Sequence, residues 1–273
     1  MNLVNGKPSS SISIFDRGFL YGDGLFESIL IIKKNPINIA LHLKRLKNGC
    51  RALRIKNLDL DLLNKHIKNS LEDQINCVLN INITRGTADK RGYDIKNCKS
   101  KPNIIITTSK IPIYPEEYKK KGIKTKFTKQ TFKDSSDSLA KIKHLNRLEQ
   151  VLATEELSKT FPELIVCDNY GNIIEGISSN IFFIKEKVFY TPDIKNNGVD
   201  GVMKSYITSI LKKNKYKIKI ENINKKEIKN YDGAFFCNSI RLIWKIKSIN
   251  SHKYKDNTNI NNLIKIIEND IKK

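Results

Sequence analysis

Strand-like spacing recurs along the chain, with helical spacing set between. Residues 11–15 (SISIF) alternate apolar and polar, residues 25–32 form an apolar run of strand length, and residues 75–84 and 103–108 repeat the pattern. Between the first two lies DRGFLYGDGLFES, residues 16–28, whose three glycines predict a loop with tight turns. Tyr21, Asp23, Phe26 and Glu27 beside those glycines would make one wall of a pocket. HLKRL, residues 42–46, opens a helical stretch through Leu43, Leu46 and Leu53, with Arg45 three residues beyond His42 and on the same face. Residues 111–122 carry two prolines and a charge cluster, and there the reading divides the chain. It predicts a smaller N-terminal α/β domain over residues 1–112, a linker over 113–122, and a larger domain over 123–273.

In the second part, residues 123–127 resume a strand. Leu145, Leu148, Val151 and Leu152 then recur at helical spacing, which predicts a helix from Lys143 to about residue 158. Residues 164–168 and 173–174 form a hairpin about Gly171, and residues 181–184 and 188–190 form a second. GVDGVMKSYI, residues 198–207, leads from two glycines into a helix. Strands follow at 216–220 and 234–238, and an amphipathic helix closes the chain over 260–271. The expected class is α/β, in the mixed α+β sense, without internal repeats.

Composition narrows the function more than the fold. Of 273 residues, 39% are hydrophobic and 29% charged, a globular balance. No apolar run approaches the roughly 20 residues of a membrane helix. The first residues lack a basic region followed by an apolar core, so no signal peptide is expected and the reading is cytoplasmic. Five cysteines are widely spread, without CxxC pairs or histidines at ligand spacing, so reduced thiols and no metal are expected. The net charge of +22 comes from lysines in every segment. Neither a helix-turn-helix nor an RNA-module signature concentrates it, so no specific nucleic-acid partner is expected. The field would instead gather a small anionic substrate.

A lysine becomes a nucleophile or base when burial or neighbouring cations bring its pKa to about 7 to 8. Lys143, in KIKHLNRLEQ, has Lys141, His144 and Arg147 to do this. The Arg45 guanidinium suits a phosphate, which it can grip with two parallel hydrogen bonds. Glu175, followed by the small residues GISSN, offers a carboxylate where backbone can approach a ligand. The first amides of the helix after Gly201, those of Val202 and Met203, offer a phosphate seat. Each residue taken singly fits a solvated surface or plain loop equally well. Together they are the parts of a pyridoxal phosphate enzyme: a lysine for the Schiff base, a carboxylate for the pyridine nitrogen, and a phosphate cup.

The ordered set YGDGLFES, HLKRL, KHLNRLEQVLA, EGISSNIFF, TPD, GVDGVM and FFCNS resembles the class IV pyridoxal phosphate aminotransferase family, also called fold type IV. It spans about residues 6–244. Within the family, KHLNRLEQVLA with FFCNS is most similar to the lyase branch, which acts on 4-amino-4-deoxychorismate. The resemblance implies Lys143 as Schiff-base lysine and proton carrier, Glu175 as partner of the pyridine nitrogen, and Arg45 as phosphate ligand. It adds the Val202 and Met203 amides, and Asn238 or Ser239, around the phosphate. Arg85 and Arg91 become candidates for the substrate carboxylates, and Tyr21 and Phe26 for pocket lining. It also implies two domains with the cofactor between them, in a homodimer whose subunits complete each other's pockets, making 4-aminobenzoate and pyruvate. Arg241 and Lys245 depart from the lyase pattern of uncharged residues, and Lys141 stands where relatives carry a small one. The alternatives are a D-amino-acid or branched-chain transaminase on the same scaffold, and a basic nucleic-acid-binding protein.

Overall fold

The computed structural model describes residues 2–98, 100–133, 135 and 139–272. The chain divides into two units: residues up to Pro112 together with Ile142–Arg147, and Ile113–Lys141 together with Leu148–Lys273.

The first unit is built on a six-stranded antiparallel sheet. Its strands are β1 (Asn2–Val4), β2 (Lys7–Pro8), β3 (Gly24–Ile32), β4 (Asn35–Pro36), β5 (Cys77–Thr84) and β6 (Asn103–Ser109), in the order β2-β1-β6-β5-β3-β4. Helices α1 (Arg17–Tyr21), α2 (Ile39–Ala52) and α3 (Leu60–Ser70) accompany it. Leu25, Ile29 and Ile31 of β3 and Leu79, Ile81 and Ile83 of β5 pack with Leu46 and Leu63 in one core. These alternate positions share one face of the pleat, so the period of two writes the core directly.

Two expectations fail in this unit. Residues 11–13 lie outside any strand and Ile14–Phe15 form a turn. Ile12 and Ile14 alternate with serines, yet they and Phe15 are all exposed. The expected loop of residues 16–28 contains α1, capped by the Asp16 carboxylate on the Gly18 and Phe19 amides, and the start of β3.

The second unit contains α4 (Glu116–Lys120), β7 (Ile123–Thr125), β8 (Phe127–Thr131), α5 (Leu148–Ala153), β9 (Ile165–Cys167), β10 (Ile173–Gly176), β11 (Asn180–Lys185) and β12 (Val188–Pro192). It continues with α6 (Val202–Lys213), β13 (Lys217–Glu221), β14 (Gly233–Asn238), β15 (Leu242–Ile249), β16 (His252–Lys253) and α7 (Thr258–Lys272). Its large sheet runs β13-β12-β11-β14-β15-β16, with β7 parallel to β15, and β10-β9-β8 form a smaller sheet. Both faces of the large sheet are covered. Ile181, Phe183, Ala234 and Phe236 face one core, while Phe182, Ile184, Phe235 and Cys237 face another that includes Met203, Ile207, Ile260 and Leu263. That is why IFFI and AFFC read as continuous apolar runs instead of alternating.

The expected linker is part of this unit, because Tyr114 and Tyr118 set their rings edge-on to Trp244 at 4.8 and 5.3 Å. The expected continuous domain from residue 123 onward is also corrected, since Ile142–Arg147 belongs with the first unit.

Candidate active site

Lys143 is not at a helix entrance. Residues 143–145 lie along the first residues of β3, where the Phe26 amide donates to the Lys143 carbonyl at 3.0 Å and the Leu145 amide donates to the Gly24 carbonyl at 3.0 Å. β4 pairs with β3 only at Ile31 and Ile32, so this edge is open to the added strand. Arg147 folds back on the segment, donating from Nε to the His144 carbonyl and from Nη2 to the Ile142 carbonyl. The helix begins only at Leu148, and Leu148, Val151 and Leu152 are exposed. Their helical spacing marks a short α5, not a longer buried helix.

The Lys143 ammonium lies 3.8 Å from the centroid of the Phe26 ring. An aromatic face holds a cation there by its quadrupole and gives an amine a defined place. Next to it, burial, aided by the Arg147 charge, pushes the His144 imidazole down to about 4, so it is neutral near pH 7.

Alternation turns Glu27 to the face opposite Phe26. There its carboxylate accepts from Arg45 Nε at 2.8 Å, from Arg45 Nη2 at 2.6 Å and from His42 Nδ1 at 2.6 Å. Burial would raise the Glu27 carboxyl, but the hydrogen bonds and charges of Arg45 and His42 outweigh it and hold it at about 2. Burial lowers the His42 imidazole against the pull of the Glu27 hydrogen bond and charge.

The other candidates of the first unit fare differently. The Tyr21 hydroxyl accepts from the Gly92 amide at 3.0 Å, and its ring carries the Arg17 guanidinium. Arg85 is not placed to receive a substrate carboxylate. Its Nε and Nη2 hold the two Asp23 carboxylate oxygens at 2.7 and 2.9 Å, and its Nη2 and Nη1 bond the Leu53 and Arg54 carbonyls at 2.6 and 3.1 Å. Arg91 lies exposed in a bend.

In the second unit, Glu175 is the next-to-last residue of β10 and is 4% exposed. Its Oε2 accepts from the Val199 amide at 2.9 Å and from Asn180 Nδ2 at 3.2 Å, and the same Asn180 amide reaches the Val199 carbonyl at 2.9 Å. Asn180 is the residue the sequence reading passed over; its signal was the closing N of GISSN. Gly198 takes φ 74, and a Cβ there would come within 3.2 Å of Glu175 Oε2. Gly201 caps α6 without a side-chain hydrogen bond, so the amides of Val202 and Met203 open the helix uncapped by a side chain. A carboxylate fixed by two donors on one oxygen, beside uncapped helix amides, fits a pyridinium and a phosphate.

Asn238 does not offer its side chain to a phosphate. Its Oδ1 accepts from the Ile240 and Arg241 amides, and its Nδ2 donates to the Ser178 carbonyl at 3.0 Å. Ser239 sits half-buried in the turn that this Asn238 bonding closes. The two charged departures are engaged structurally. Arg241 bonds the buried Glu163 carboxylate and the Ser178 hydroxyl and stacks over Trp244 at 4.3 Å, while Lys245 bonds Asp256 and Asn261. Lys141 takes a left-handed φ of 69, a conformation that glycine adopts most readily.

The family model for amino-transferase class IV matches residues 24–249. The chain is 27% identical over 254 residues to the aminodeoxychorismate lyase of Vibrio harveyi, covering 92% of each. It is 25% identical over 261 residues to a D-alanine aminotransferase of Staphylococcus epidermidis, covering 93% of this chain and 90% of the other. Among solved structures, the 4-amino-4-deoxychorismate lyase of Pseudomonas aeruginosa superposes with a TM-score of 0.94 at 30% identity, over 99% of both chains.

Proposed function

Because the chain belongs to the class IV aminotransferase family, we propose that it is an aminodeoxychorismate lyase, a pyridoxal phosphate enzyme that converts 4-amino-4-deoxychorismate to 4-aminobenzoate and pyruvate. The observation that carries the lyase reading is the whole-chain likeness to the Pseudomonas aeruginosa enzyme. Bound pyridoxal phosphate supplies an electron sink for the carbon that bears the substrate amine.

The protein's own groups do the rest. Lys143 would hold the cofactor through its amine, and the same amine would take the proton from C4 of the substrate. With that proton gone, the C3–O bond would break, the ring would become aromatic and enolpyruvate would leave with its oxygen, gaining a proton on its methylene carbon to become pyruvate; aromatisation drives the elimination. The Phe26 ring gives the Lys143 amine its place. Glu175, directed by Asn180 and Val199, faces the pyridine nitrogen. Arg45, the Val202 and Met203 amides and Ser239 take the phosphate. Arg91 is the arginine for a substrate carboxylate, and Tyr21 lines the pocket.

The protein works as a cytoplasmic homodimer in this reading. Exposed Ile14, Phe15 and Phe19, the last two 61% and 68% exposed, form an apolar set that a second copy would cover. All five cysteines are free thiols, which suits a reducing compartment.

The test is a coupled assay with enzymatically generated aminodeoxychorismate, following 4-aminobenzoate by chromatography, with Lys143→Ala as control. Product that disappears in the variant supports the reading. If no product forms but the absorbance band of lysine-bound cofactor is bleached by amino acids, a transaminase takes its place. Without a band, the cofactor reading fails.

A further inference from the structure

The chemistry above leaves Glu27 and His42 without a task, yet the fold buries both. Their side chains are 1% and 0% exposed, and Arg45, one turn from His42 on α2, is 13% exposed. A buried ion pair gains a fold little over well-packed apolar residues of the same volume. What it does give is direction. Glu27 grips the Nε and Nη2 edge of a planar guanidinium at 2.8 and 2.6 Å, so the plane and the outward edge of the fork are both set. His42 Nδ1 then fixes the carboxylate oxygen that serves Nη2.

We propose that Glu27, held by His42, is the positioning residue that aims the Arg45 guanidinium at the cofactor phosphate. The inference rests on the reading of Arg45 as a phosphate ligand. Two effects of Glu27 on that ligand oppose each other. Its negative charge weakens the attraction of Arg45 for a dianion, while its two hydrogen bonds hold the fork in place. A carboxylate kept only for charge balance would make Glu27→Gln bind phosphate more tightly; a carboxylate kept for aim would make it bind more weakly. Charge-assisted bidentate bonds are the strong ones, so aim prevails.

The experiment measures dissociation constants of pyridoxal phosphate and of pyridoxal, which lacks the phosphate, for the full chain and its variants. The ratio of the two isolates the phosphate contribution and cancels any general loosening of the fold. In Glu27→Gln the preference for pyridoxal phosphate falls by roughly tenfold or more, as expected for a lost charge-assisted contact, while the pyridoxal constant stays unchanged. An unchanged or increased preference overturns the proposal. Glu27→Asp, which keeps the charge and shortens the reach, carries the same test if the glutamine variant does not fold; its preference also falls, and an unaltered one overturns the proposal equally. Arg45→Lys separates the two readings. If it leaves the preference intact, Arg45 is not the phosphate ligand and the underlying assignment has failed, whatever Glu27 does.

Discussion

Replacing Arg85 with methionine distinguishes a residue that binds substrate from one that holds the first unit together. The side chain makes four hydrogen bonds, two to the Asp23 carboxylate and two to the Leu53 and Arg54 carbonyls. Those carbonyls follow the C-terminus of α2, where a cation also meets the negative end of the helix dipole. Methionine keeps much of the volume and loses every one of these bonds. Breaking a buried pair costs about 3 to 5 kcal/mol. Asp23 keeps Arg17 Nε at 2.9 Å and is 12% exposed, so the low end, about 3 kcal/mol, applies. Urea unfolding should be followed by circular dichroism, because the single tryptophan, Trp244, lies in the second unit and reports the other half of the chain. KM for aminodeoxychorismate should stay within about twofold, since no substrate contact is lost. Exposed Arg91→Met should do the reverse, raising KM with stability unmoved. Stability of Arg85→Met within about 0.5 kcal/mol of the parent, together with a tenfold higher KM, would refute the structural assignment.

Gly201→Ala places a Cβ 1.8 Å from Asn180 Oδ1, so the amide that steadies Glu175 must move; cofactor affinity should fall by about tenfold or more, read by absorbance titration, and unaltered affinity would show that Asn180 is dispensable. In acid, Glu27 has a carboxyl at about 2 when folded against 4.5 as the reference, so its contribution is complete above about pH 5 and is lost as pH falls toward 2. That amounts to about 3 kcal/mol in all, about 2 of it between pH 5 and pH 3; urea midpoints should therefore fall more steeply in the parent than in Glu27→Gln, and parallel curves would contradict it. Phe15→Ser with Phe19→Ser should shift a dimer toward monomer in sedimentation, and a variant that sediments like the parent would remove this surface from the interface.

The strands were legible where the pattern had a single cause. Leu25, Ile29 and Ile31 alternate because one face of β3 is core, and IFFI runs on because both faces of β11 are. Residues 11–15 carried the same alternation without the burial, so the pattern named a strand where there is none. After Lys143 the failure was of another kind. The periodic Leu148, Val151 and Leu152 do not avoid water, and the backbone of 143–145 was captured by the open edge of β3, a partner more than a hundred residues away in sequence. Among the candidate residues, Lys143 and Glu175 were singled out by the motifs around them, KHLNRLEQVLA and EGISSN, because lysines and carboxylates are common along the chain. Arg85 was read as a substrate ligand because in sequence an arginine clamped by Asp23 and two carbonyls is indistinguishable from one that waits for an anion.

The short stretch before α6 explains why the carboxylate and the helix amides can act as one unit. Val199 donates its amide to Glu175 Oε2, accepts from Asn180 at its carbonyl, and pairs with Lys141 through an isolated bridge. Two residues on, Gly201 lies so close to Asn180 that a side chain cannot fit, and there the helix begins. Asn180 therefore touches both ends of the stretch: it fixes the carboxylate on one side and sets the approach of the helix N-terminus on the other. The spacing between a group suited to a pyridine nitrogen and amides suited to a phosphate is then set by main-chain geometry and one amide side chain, with no long flexible side chain in the path. A spacing fixed in this way is preorganised, so a ligand that engages both groups need not order either of them on binding.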